Sequence, residues 1–207
     1  MAQAAAAYQF DFSGGSLCLD FANTLGDRPR SSEEHLEDWR ALVSWAEQGR
    51  LIDAREAAAI RTSAARDPKA AERAWSRARA FREGLYRVFS ALAASRAPAD
   101  ADLALLNTEL AAAMPHARVH AGDGAFHWGW DAGKPSLDRL LWPVARSAGD
   151  LLVSAEKPDV RECASGVCSW LFLDRSPTRR RRWCSMKTCG NRAKARAFYA
   201  RQKDTGQ

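Results

Sequence analysis

The stretch Cys163-Ala164-Ser165-Gly166-Val167-Cys168 is answered, after fifteen intervening residues, by Cys184-Ser185-Met186-Lys187-Thr188-Cys189. Two close cysteine pairs of this kind can fold around one tetrahedral ion, and an all-thiolate set selects zinc. Cys163, Cys168, Cys184 and Cys189 are therefore the predicted zinc ligands. Reading them as reduced core cysteines would leave the double pairing unexplained. The fifth cysteine, Cys18, stands alone and reads as a small buried hydrophobe rather than a nucleophile.

Outward from the second pair the charge is one-sided. Arg175 to Lys203 holds eleven Lys or Arg and no Asp or Glu, whereas the whole chain has 31 basic and 25 acidic residues. The remainder is thus at −5 while this stretch is at +11. Four thiolates on one Zn²⁺ put about −2 on the site, which leaves the surface of the module positive. A footprint of this kind predicts a nucleic-acid partner, since a merely solvated face would carry acids as well.

The 207 residues suffice for one ordinary domain and a small one, and a 46% apolar composition with eight Trp can build a core. Met1 to Phe10 has neither a basic leader nor an apolar run, and nowhere do eighteen apolar residues follow one another. The expectation is a cytoplasmic protein with no membrane partner. In that reducing compartment the clustered cysteines are free to bind metal rather than forming disulfides.

The predicted fold class is α+β: a mainly helical N-terminal domain with short hairpins over 8–155, and a small zinc module over 160–207. Tyr8, Phe10 and Phe12 alternate as a half-buried strand, broken at Ser13 to Ser16. Leu17 to Thr24 fits either period two or a helix. Leu36, Trp39, Leu42, Val43 and Ala46 keep helical spacing behind Glu33, Glu34, Glu37 and Asp38. Asp53 can cap a second helix, and Asp67-Pro68 opens a third that runs to about Ser95. A fourth is expected over 100–113. Arg118 to His120, a turn at 121–124, and Phe126, Trp128 and Trp130 read as a hairpin. A last helix is expected from Pro135 to about Ser154, with Lys157-Pro158-Asp159 as the join. In the module, Trp170 to Asp174 and Arg179 to Trp183 read as two strands around a turn, and a helix begins after Gly190.

These residues carry a resemblance. Trp170-Leu171-Phe172-Leu173-Asp174, Arg182-Trp183-Cys184-Ser185-Met186 and Cys189-Gly190-Asn191-Arg192, with Lys194 following, resemble the CGNR zinc fingers. Gly14-Gly15, Leu17 to Phe21, Asn23-Thr24 and Arg146-Ser147-Ala148 are similar to recurring segments of the ABATE domain, the usual N-terminal partner of that finger. The resemblance implies a bacterial stress-associated transcription regulator with a treble-clef DNA-binding end and an N-terminal domain that senses a ligand. Pro177-Thr178 departs from the family's commoner Arg-Asn, which bears on loop contacts with DNA and not on the metal site.

The predicted nucleic-acid contacts are Arg179, Arg180, Arg181, Arg182, Lys187, Asn191, Arg192, Lys194, Arg196, Arg201 and Lys203. On a helical wheel Arg192, Arg196, Tyr199 and Lys203 form one face, while Ala193, Ala197 and Ala200 form a neighbouring one able to lie on the hairpin. Strand alternation would turn half of the Arg179 to Arg182 run away from the ligand. Asp20, Asn23, Arg82 and Arg146, polar residues set in apolar surroundings, are the candidates for an effector pocket or equally for internal ties. His116, His120 and His127 read as surface residues of the hairpin. No phosphate-loop, serine-hydrolase or zincin motif is present, and the protein is not expected to be an enzyme.

The expected function is a zinc-dependent DNA-binding regulator under control of a small effector. The alternatives are an RNA-binding protein, or a protein-interaction module attached to an uncharacterised enzyme domain. A homodimer would help a lone finger hold DNA, although no heptad marks an interface.

Overall fold

The segment that fits both periods, Leu17–Ala22, is a helix (α1) in the computed structural model, which describes residues 8–30, 32–122, 124–131 and 135–204. Cys18, Leu19, Asp20, Phe21 and Ala22 are all buried. A helix covered on every side has no polar face, so its period leaves no mark in the sequence. It packs against the long helix α4 (Pro68–Ala93) and against α6 (Trp142–Val153).

The helices between obey their caps. Asp38 accepts hydrogen bonds from the N–H groups of Arg40 and Ala41 at 2.8 and 2.9 Å and opens α2 (Trp39–Gln48). Asp53 and Glu56 form a reciprocal capping box at the head of α3 (Ala54–Arg66). Asp67 caps α4, with Pro68 in its first turn where the missing N–H costs nothing. α5 (Asp100–Ala113) follows. Glu33 and Glu34, expected to lie near the head of a helix, instead form strand β2 (Glu33–Glu34), paired with β1 (Leu25–Gly26). The hairpin of β3 (Ala117–Gly122) and β4 (Ala125–Trp130) turns through Gly124 at φ 78°. Asp123, the other residue of that turn, lies outside the described residues.

Two expectations are corrected here. Tyr8 to Phe12 is not a strand. The backbone there finds its partners in one side chain, because Gln48 accepts from the Phe10 N–H at 3.0 Å and donates to the Tyr8 carbonyl at 2.8 Å. The last N-terminal helix starts at Trp142 rather than Pro135, with Pro143 in its first turn and a 3₁₀ turn at Asp138–Leu140 before it. Proline belongs at a helix start and blocks an interior.

The core holds Phe21, Trp45, Phe81, Leu85 and Phe89, and it extends to Val160, Leu171 and Leu173. Each fully buried Leu or Phe contributes roughly 1.5–3 kcal/mol. Arg82, 1% exposed, enters this interior with its counter-ions: Glu34 at 2.6 and 2.8 Å and Glu83 at 2.8 Å. No helix among the described residues is long and apolar enough to cross a membrane.

Candidate metal centre and nucleic-acid interface

The first cysteine pair sits at the tip of a hairpin built on the core. β5 (Val160–Glu162) pairs with β6 (Leu171–Leu173), Val160 opposite Leu173. The ladder runs one step further, from the Cys163 N–H to the Trp170 carbonyl at 2.9 Å, and a turn closed by the Cys168 N–H on the Ser165 carbonyl brings Cys168 back. Asn23 locks the outer edge of β6, donating to the Leu171 carbonyl at 2.9 Å and accepting its N–H at 2.8 Å. Glu162 accepts from Tyr86 and Ser90 of α4 at 2.9 and 2.6 Å.

The partner of β6 is thus β5, and the strand expected over Arg179 to Trp183 is absent. That limb is shaped instead by Asp174, which is wholly buried. Its carboxylate accepts from the Ser176 N–H and hydroxyl at 3.0 and 2.6 Å and from the Arg181 N–H at 2.8 Å. Burial works to raise the Asp174 pKa, yet these bonds and the nearby Arg161 charge together hold it below the usual carboxylate range. Knuckle and helix are present in the expected order, but of the hairpin expected between them only the first limb is a strand.

Of the second pair, Cys184 precedes and Cys189 lies on a π-helical turn, Met186–Gly190, that leads into α7 (Asn191–Asp204). All four Sγ atoms lie within 4.8 Å of one another, with Cys168 to Cys184 at 3.8 Å and Cys184 to Cys189 at 3.6 Å. Zinc–sulfur bonds of about 2.3 Å at tetrahedral angles require sulfur–sulfur edges of about 3.8 Å. Phe172, Trp170 and Trp183 pack around the sulfurs. Hydrogen bonds from the Cys168 and Cys184 thiols push the Cys163 pKa down, and the same bonds push those of Cys168 and Cys184 up. So dense a set carries one negative charge readily and four only around a dication. Donor type, spacing and burial all fit zinc. Bound there, the ion closes the finger by cross-linking hairpin and helix; it offers no open position for catalysis.

The basic residues divide sharply. Arg175 pairs with Glu156 at 2.7 and 3.0 Å, and Arg179, at φ 50°, pairs with Asp159. Arg181 turns inward, bonding the Trp183 and Cys184 carbonyls with its guanidinium 4.5 Å from the Phe172 ring centre. Arg180 and Arg182 are exposed, the latter over Trp183. Lys187, Asn191, Arg192, Lys194, Arg196 and Arg201 are exposed as well, and the Asn191 amide donates to the Lys187 carbonyl at 3.1 Å. The Lys203 side chain lies outside the described residues.

The alanine face of α7 was expected to lie on the hairpin. It does not: Ala193 is half-buried and Ala197 exposed, while the Ala200 side chain lies outside the described residues. Without a second strand beneath it, the helix leaves the metal site as an arm.

The four effector-pocket candidates are each committed to a separate partner. Asp20 accepts the Gly14 N–H at 2.7 Å. Burial raises its pKa to about 6 against the lowering effect of that bond. Asn23 holds Leu171, and Arg82 holds Glu34 and Glu83. Arg146 pairs with Asp150 at 3.1 Å and lies 3.8 Å over the Trp128 ring. Of the three histidines read as surface residues, His120 and His127 face each other across the hairpin, while His116 stacks on Trp142. Sequence reasoning missed the fastening role of Asp174 and the acids Glu156 and Asp159. The only available signal was a lone Asp at the edge of a basic run.

The ABATE family model, described as "Putative stress-induced transcription regulator", matches residues 15–155, and the CGNR zinc-finger model matches residues 160–202. Neither description is of an enzyme. No curated protein matches the chain. The protein therefore belongs to the ABATE family and ends in a CGNR zinc finger whose zinc ligands are Cys163, Cys168, Cys184 and Cys189.

Proposed function

We propose that the protein is a zinc-dependent regulator that binds duplex DNA through its C-terminal finger, and that the N-terminal residues 8–155 bias that grip. One observation carries the reading: Arg180, Arg182, Lys187, Arg192, Lys194 and Arg196 are exposed, and among the described residues no carboxylate pairs with any of them. Unneutralised guanidinium and ammonium groups within one small module favour a polyanion. Binding to random-sequence duplex should follow a log–log salt slope of about −4 to −5 for about five phosphate contacts. It should vanish when all four zinc ligands are replaced by Ser. Salt-insensitive binding, or binding unaffected by that replacement, would refute the reading.

Control by a small effector is supported by a cavity of about 250 Å³ that includes Ser16, Ser147, Ser154, Glu156 and Arg175 in its lining. A polar occupant there meets the Arg175–Glu156 pair and so the root of the basic loop.

Single-stranded RNA is a second reading with its own observation. Phe198 and Tyr199 are 50% and 64% exposed on the basic helix, where bases could stack on them. Competition between duplex DNA and single-stranded RNA separates the two.

A further inference from the structure

Arg30 belongs to the N-terminal part of the chain, far in sequence from the basic run. It sits in the β1–β2 connection, where its N–H donates to the Asp27 carbonyl at 3.0 Å. The connection is anchored by Arg28, which donates to the Ala22 and Leu25 carbonyls at 2.7 and 2.9 Å and pairs with Glu83 at 3.2 Å. Its guanidinium lies 4.0 Å over the Tyr86 ring. The neighbouring Arg30 is exposed, and no carboxylate pairs with it among the described residues.

Across from it runs the start of α7. Arg192, Ala195, Arg196 and Tyr199 recur at i, i+3, i+4 and i+7, hence along one face. Together with Val167 of the knuckle they enclose, with Arg30, a shallow groove of about 490 Å³. Three guanidiniums line it and no carboxylate does. The acids nearest in sequence, Asp27 and Glu33, line a different cavity beside Cys168 and Trp170, and Arg192 stands between the two. Three like charges around one groove repel unless an anion joins them. A guanidinium is also the side chain best matched to the oxygens of a phosphate.

We infer that this groove is a seat for the phosphate backbone of duplex DNA, with Arg30 reaching it from the N-terminal part of the chain. The inference rests on the DNA-binding reading above and adds that the interface is not confined to the finger. It also gives residues 8–155 a direct hold on the nucleic acid, through a connection pinned to α1 and α4.

The test is a salt series with the full-length, zinc-loaded protein and random-sequence duplex, comparing Arg30→Gln, Arg192→Gln and Arg55→Gln. Arg55, exposed at the head of α3, controls for the loss of one positive charge. Loss of one phosphate contact flattens the slope by about 0.9 and weakens binding about eightfold at 0.1 M salt. Both effects are expected for Arg30→Gln and Arg192→Gln and neither for Arg55→Gln, with unchanged melting temperatures. If Arg30→Gln behaves like Arg55→Gln while Arg192→Gln weakens binding, the shared groove is refuted and the finger's role stands. If Arg30→Gln weakens binding to single-stranded RNA but not to duplex, the assignment to DNA is wrong. Wild-type protein that ignores duplex altogether removes both readings.

Discussion

Helices α1 and α7 are opposites. α1, six residues long, is buried along nearly its whole length by α4, α6 and β6, and its polar members Asp20 and the flanking Asn23 are tied to backbone groups. α7, fourteen residues long, touches chiefly the turn that carries Cys189 and is exposed nearly everywhere its side chains are described. The first is stabilised by burial and would not form alone. The second has good formers in Ala, Lys and Arg, yet a helix of about 12–15 residues is marginal by itself in water. Zinc held by Cys189 at its head would be what fixes α7 in place. The two halves of the finger differ in the same way, since Cys163 and Cys168 ride on a hairpin set in the main core, whereas Cys184 and Cys189 depend on the ion.

The largest effect expected from this contrast follows removal of zinc. Structural zinc sites contribute on the order of 10 kcal/mol or more of folding free energy. Chelation, or the pair Cys184→Ser and Cys189→Ser, should melt α7 and the turn before it while α1 to α6 stay folded. Hydrogen exchange would show protection lost at α7 amides and kept at α1 amides. If both were lost together, the two regions would be one cooperative unit and the contrast would fail.

A smaller effect probes the buried helix alone. The Asp20 carboxyl titrates at about 6 in the folded protein against 3.8 ordinarily, because burial disfavours its charge. Between these values the unfolded chain gives up its proton first, so stability falls as pH rises from about 4 to 6. The loss is on the order of 3 kcal/mol and persists above that window. Asp20→Asn keeps an acceptor for the Gly14 N–H and removes the titration. Its stability relative to wild type should therefore improve by about that amount between pH 4 and pH 7, measured by denaturant unfolding. A difference that does not change with pH would mean Asp20 is not desolvated.

The smallest effect compares like with like. Ala22→Leu in α1 must crowd a filled interior and should cost about 1–3 kcal/mol. Ala197→Leu in α7 adds a side chain to open solvent and should change stability by about 0.5 kcal/mol or less. Equal thermal shifts would show that α7 packs on something more than its own root.

The elements legible in the sequence are those whose cause is local. Asp53, Asp67 and Pro68 place two helix starts through their own hydrogen bonds and ring geometry. Period two and the turn read at 121–124 mark the hairpin of β3 and β4. The four cysteines announce the metal, because ligand chemistry depends on residue type and spacing more than on the surrounding fold, and a run of eleven basic residues with no acid among them announces the basic module. Only the tertiary structure decided the rest. α1 has no period to read, being covered all round. Val160 to Glu162 is too short to declare itself a strand, and it becomes one because β6 lies beside it, fixed by Asn23 and the core. Arg179 to Trp183, read as the returning strand of the finger, is not one, since Asp174 takes the Arg181 N–H that a ladder would have used. Sequence determines what a residue can bond. Which residue arrives at its side, Asp159 at Arg179 or Arg30 opposite Arg192, is set by long-range packing that no local pattern encodes.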